Sequence, residues 1–231
     1  MSKGCFIVID GIDGTGKKTQ LDLLKIRLES EGLAVETADF PQYGNKSAGP
    51  VEDYLNGKFG AADEVGAYRS SIFFAVDRYA ASKKITGWQE AGKVVITNRY
   101  VSANMGHQGG KISDTGERAK YFAWLDELEY SLFKIPRPNV NIILHIPPEI
   151  AQQLVDKKAA EVRTYSENKR DIHEADINHL RNAEQTYLEI SRTFPGFILI
   201  ECYESGRLLS REEVHEKVWQ TVQKFLPAKT S

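Results

Sequence analysis

Five short runs of apolar and β-branched residues recur along the chain: Phe6–Asp10 (FIVID), 34–40, 93–97 (KVVIT), 140–146 (VNIILHI) and 196–201 (GFILIE). Short runs that are mostly apolar or β-branched mark strands buried on both faces. Longer segments with helical spacing separate them. Leu21, Leu24, Ile26 and Leu28 follow a glycine-rich stretch, and 65–84, 117–132, 175–192 and 211–225 also read as helices. Strand alternating with helix predicts an α/β fold: a five-stranded parallel sheet with right-handed crossovers, flanked by helices in three layers. There is no repeat, low-complexity tract or linker, and 231 residues suit a single domain, 1–231, with a substantial core. One segment, 157–174, breaks the pattern. Its Lys157, Lys158, Arg163, Lys169 and Arg170 are interspersed with acids, which by itself reads as a solvated helix or loop.

The formal net charge of −2, from 30 basic and 32 acidic residues, offers no global attraction to a nucleic-acid polymer or an anionic membrane. Any polyanion must therefore be held by local groups. The apolar stretch at 5–9 ends at Asp10, too short for a signal-peptide core or a membrane span. The two cysteines, Cys5 and Cys202, each flank a predicted strand, which argues against a disulfide framework or a zinc site and fits a reducing cytoplasm.

Candidate chemistry begins where the first strand runs into GIDGTGKKT, residues 11–19, and then into a helix. Gly11, Gly14 and Gly16 let the backbone curl into a nest of N–H groups, the helix offers its positive end, and Lys17 adds a mobile cation. GxxxxGK between a strand and a helix is a phosphate-binding loop, with Thr15, Lys18 and Thr19 completing the set. The residue after Lys17 is ordinarily Ser or Thr, whose hydroxyl binds Mg²⁺; in this chain it is Lys18. Arg99 leaves a buried strand at its carboxyl end, where ligands of parallel sheets collect.

Three later segments, FPQYG (40–44), FFAVDRY (73–79) and NRYVSAN (98–104), give the chain its resemblance to the thymidylate kinase family of P-loop nucleoside monophosphate kinases, in the branch carrying FPxYG. The likeness runs from Phe6 to about Gln108 and more weakly through IHE (172–174), so it covers nearly the whole chain. Phe74 and Arg78 stand one helical turn apart, which lets an aromatic face and a guanidinium project together onto a base. Burial of Phe73 and Phe74 in the core is the competing reading.

The resemblance implies transfer of the γ-phosphoryl of ATP to dTMP, giving dTDP and ADP, with Mg²⁺ as cofactor. It places the thymine on Phe74, its O4 at Arg78 and its N3 at Asn104. Asp13 would receive the 3′-hydroxyl and Arg99 would clamp the acceptor phosphate with Tyr43 beside it, while Phe40, His107 and Gln108 complete the acceptor site. A lid at about 157–175 would close over ATP, with Arg163 or Arg170 supplying the arginine that Gly14 leaves out of the loop. Asp13 and Glu174 are the carboxylates implied for Mg²⁺. A homodimer is implied as well, and an exposed face on 65–84 or 117–132 could carry it.

Lys18 and Asn98, where the family usually has Asp, depart from the pattern, as does His107, where that branch often has Tyr near the sugar. An acceptor phosphate is already anionic and needs no strong base. Two other readings remain at this point: a deoxynucleoside kinase with Asp39 as base, and a nucleotide-binding module whose catalysis is impaired by Lys18 and Asn98.

Overall fold

A computed structural model describes residues 3–162 and 177–226. The apolar runs form β1 (Phe6–Asp10), β2 (Val35–Asp39), β3 (Val94–Asn98), β4 (Val140–His145) and β5 (Phe197–Glu201). All pair in parallel, in the order β2-β3-β1-β4-β5. The expectation of strands buried on both faces holds for β1, β3 and β4, whose side chains are almost all buried. It fails for β2 and β5, which are only half-buried because they are the sheet edges. Phe6, Ile7, Ile9, Ile96 and Ile142 are fully buried and form the central layer of the core.

Helix α1 (Lys17–Ser30) leaves the glycine loop and packs on α8 (Arg211–Val222) through an Arg27–Glu216 ion pair of 2.7 Å and the Arg27 guanidinium over Trp219. Ser210 and Glu213 close a capping box at the start of α8, which satisfies its free N–H groups. A short helix not foreseen from the pattern, α2 (Gly49–Leu55), precedes α3 (Ala62–Glu90). That helix is longer than the predicted 65–84 and bends at Gly66, whose φ of 73° only glycine adopts cheaply. After β3 the chain makes a tight series of turns, α4 (Val101–Ala103), a π turn (Asn104–Gln108) and a 3-10 turn (Gly109–Lys111). The predicted helix 117–132 divides into α5 (Thr115–Asp126), capped by Asp114, and a π turn (Glu127–Leu132). Helix α6 (Pro148–Val162) leads into the predicted lid, most of which, with Arg163, Arg170 and Glu174, lies outside the described residues. Helix α7 (Ile177–Thr193) returns to β5, and a small antiparallel ribbon, β6 (Tyr203–Glu204) with β7 (Arg207–Leu208), leads to α8.

Cys5 and Cys202 are free and buried, and burial pushes both thiols up to about 12. No described helix is long and apolar enough to cross a membrane.

His145 ties β4, β5 and α7 together: Nδ1 lies 2.6 Å from Glu201 Oε2 and Nε2 lies 2.8 Å from Glu184 Oε1. Burial alone would lower its pKa, but the two carboxylates outweigh burial and raise it. A raised folded-state pKa means that the stabilisation is fully present below the ordinary value of 6.5 and is lost as pH rises through the folded value. In urea titrations, the stability gap between the native chain and His145→Gln is expected to be widest near about pH 6 and to shrink by about pH 9.

Candidate active site

The loop between β1 and α1 is held open by glycine. Gly11 and Gly14 have φ of 136° and 90°, and a Cβ there would fall 2.4 Å from the Leu144 carbonyl oxygen and 2.3 Å from that of Ala151. Only glycine lets the loop fold this tightly against β4 and α6. Lys17, in the first turn of α1, is buried, and its Nζ donates to the carbonyls of Gly11 (3.0 Å) and Ile12 (2.9 Å). Thr15 Oγ1 also donates to Ile12. Lys18, by contrast, is exposed and turns away from the loop to pair with Asp22. Thr19 is half-buried on α1.

Lys17 Nζ lies 3.6 Å from Asp13 Oδ1, and the Arg99 guanidinium is paired with the same carboxylate oxygen. Burial and the neighbouring Arg99 lower the Lys17 ammonium to about 8, opposed by Asp13 and Asp10. Burial would raise the Asp13 carboxyl, but Arg99 and Lys17 hold it well below the usual carboxylate range. Arg99 itself has φ 64°, a left-handed conformation rare outside glycine that costs about 1–3 kcal/mol and concentrates at functional sites.

A cleft opens beside this cluster. Every residue assigned from sequence to the acceptor side lines it: Asp13, Phe40, Tyr43, Phe74, Arg78, Arg99, Asn104, His107 and Gln108, together with Pro41, Leu55 and Ala103. Phe74 does two jobs. It packs edge-on to Tyr54 in a small satellite core of Val51, Tyr54, Leu55 and Val65, and it is only partly covered there. Asn104 donates from Nδ2 to the Ser71 carbonyl at 3.1 Å, which leaves its Oδ1 as an acceptor. Tyr43 is exposed at the rim. Its loop is latched to α3 by buried Asp77, which accepts from Gln42 N (2.8 Å) and Ser47 Oγ (2.6 Å). Gln108 accepts from Ser70. His107 stacks on His179, with its Nδ1 3.2 Å from that ring's Nε2. Burial and Arg99 depress its pKa well below the usual value, so the ring is neutral at neutral pH.

Several residues that matter here carry no motif. Asp10, at the end of β1, accepts from Gly11 N (2.8 Å), Tyr187 Oη (2.8 Å) and Ser102 Oγ, tying the loop to α4 and α7. A polar residue closing an apolar strand was the available signal. Glu129, from the second π turn, is fully buried against Arg78. An acid in a mixed polar helix gives no sign of this until the partner is known. Arg163, Arg170 and Glu174 lie outside the described residues, and among the described residues no group of three or more His, Cys, Asp or Glu side chains is arranged to hold a metal.

Comparison with known proteins gives one consistent result. A family model described as thymidylate kinase matches residues 9–217. A thymidylate kinase from Mycobacterium tuberculosis (strain H37Rv) is 29% identical over 179 residues, covering 77% of this chain and 78% of its own. A probable thymidylate kinase from Pyrococcus abyssi is 27% identical over 217 residues, covering 94% of each. Among solved structures, a thymidylate kinase from Candida albicans superposes with a TM-score of 0.73 at 17% identity, covering 97% of this chain and 93% of the other.

Proposed function

The chain belongs to the thymidylate kinase family, and we infer that it is a dTMP kinase, transferring the γ-phosphoryl group of ATP to dTMP to give dTDP and ADP. The observation that carries this reading is the single cleft in which Phe74, Arg78 and Asn104 meet Asp13, Arg99 and the Lys17 loop. A base laid on Phe74 would meet a donor, Arg78, beside an acceptor, Asn104 Oδ1. That order suits the O4 carbonyl and N3–H of thymine. It opposes the amine and bare ring nitrogen of cytosine.

The acceptor phosphate would reach Arg99, with Tyr43 at the rim, while the loop amides and Lys17 hold the outer phosphates of ATP. Because the acceptor oxygen is already anionic, catalysis reduces to alignment and charge neutralisation. As the phosphate takes Arg99, Asp13 is freed for the sugar 3′-hydroxyl or the metal. The described oxygens fit Mg²⁺, an ion that usually takes one or two carboxylates and otherwise water and phosphate. Asp13, in the loop, would supply one carboxylate, and Glu174, assigned as the other, lies outside the described residues. When bound, the ion neutralises phosphate charge. Arg163 or Arg170 is assigned to the transferring phosphoryl group, where an arginine is worth about three to five orders of magnitude in rate.

We also assign the protein to the reducing cytoplasm, on its two free thiols, and to a homodimer. The dimer reading rests on Tyr68, Ile72, Val76 and Tyr79, an apolar stripe along α3 that is 39–54% exposed.

Asp39, the base that a nucleoside acceptor would need, is exposed, bonds Asn98 Nδ2 at 2.7 Å and does not line the cleft. With MgATP the protein is expected to phosphorylate dTMP and not thymidine, and Asp39→Asn to retain at least about half of the rate; thymidine turnover abolished by Asp39→Asn would refute the assignment. Sedimentation is expected to give twice the 26.0 kDa chain mass, and Ile72→Glu the single-chain mass.

A further inference from the structure

Arg78 has an unusual environment for a residue that faces a ligand. Its side chain is almost wholly buried, and it is matched one to one with Glu129, whose side chain has no exposed surface. Nε donates to both carboxylate oxygens, at 3.1 and 3.0 Å, Nη2 donates to Oε1, and Nη1 donates to the Tyr100 carbonyl at 3.2 Å. A guanidinium has five N–H donors, so this network leaves one on each terminal nitrogen. Burial would weaken the charge on Arg78, and Glu129 more than restores it.

We propose that Glu129 is a positioning residue that sets acceptor selectivity through Arg78, fixing the guanidinium so that it reads a base carbonyl and cancelling the charge that would otherwise draw a phosphate. The inference rests on the dTMP kinase reading and deepens it. The cleft holds two arginines, and a nucleoside monophosphate carries a dianion at one end. If both arginines were open cations, the ligand could enter in either direction. Asp13 is shared between Arg99 and Lys17 and is partly exposed, so that end remains open to an anion. The Arg78 end is sealed and neutralised, and it offers only fixed N–H groups. A pyrimidine with a carbonyl there is accepted, whereas an exocyclic amine would meet a second donor and leave buried groups unpaired.

Glu129 lies in the π turn Glu127–Leu132, where the widened helix carries its side chain inward across to α3. A positioning role differs from a purely structural one in what its loss does. A structural role would lower stability or harm both substrates alike.

Steady-state kinetics on dTMP and dCMP, each with MgATP, test this. Glu129→Gln keeps the shape but turns an N–H toward the guanidinium. It is expected to raise the KM for dTMP about tenfold or more, to leave the KM for ATP within about twofold, and to lower the dTMP-over-dCMP ratio of kcat/KM about tenfold. If that variant lacks a cooperative thermal transition, Glu129→Asp, which keeps the charge and shortens the reach, carries the test with the same expected loss of selectivity. An unchanged ratio in a folded variant, or equal losses for ATP and dTMP, overturns the inference alone. A native chain that prefers dCMP overturns the functional reading with it.

Discussion

The site depends on one carboxylate holding two cations together. Lys17 comes from the glycine loop and Arg99 from the end of β3, and both approach Asp13. Two positive side chains so close would repel each other in a water-poor setting, and Arg99 does help to lower the Lys17 ammonium. Asp13 removes that obstacle in the free protein. On the proposed function, a phosphate arriving in the cleft would offer the same cations a stronger anion, and the carboxylate would act as a placeholder that the substrate displaces.

The rest of the fold serves that arrangement. A parallel sheet delivers the carboxyl ends of β1 and β3 to one edge, where Asp10, the loop and Arg99 emerge side by side. The left-handed backbone at Arg99 is the cost of turning its side chain back over the loop. Asp10, bonded to Tyr187 and Ser102, fixes the loop to α7 and α4 from below. At the far end of the cleft the charge is handled differently, because Arg78 and Glu129 form a closed pair. One cleft thus has an end that is open to anions and an end that is not, a polarity that suits a ligand with a phosphate on one side and a neutral base on the other.

Much of this was legible in the residues. Short, mostly apolar or β-branched runs located all five strands to within a residue or two, most sharply the three central ones, where a parallel sheet tolerates no polar face. The two edge strands read the same way but are half-buried, since neighbour order is invisible in a linear pattern. The glycine loop was readable because its φ values demand glycine at fixed spacing. Phe74 and Arg78 shared a helix face by simple periodicity. Glu129, Asp77 and Tyr187 were not legible: each acts through a partner distant in sequence, and helical spacing does not encode which partner a buried carboxylate will meet. The two π turns were hidden for a related reason, as their extra residue per turn shifts the helical register that pattern reading assumes. Lys18 sits in the motif, yet its side chain leaves the loop for Asp22.

The most direct measurement of the central claim is a crystal structure with dTMP and a non-hydrolysable ATP analogue bound. The account predicts the thymine on Phe74 with its O4 at Arg78, Arg78 still paired with Glu129, and Arg99 transferred from Asp13 to the acceptor phosphate. A phosphate bound at Arg78, or one seated in the cleft while Arg99 remains on Asp13, would contradict it.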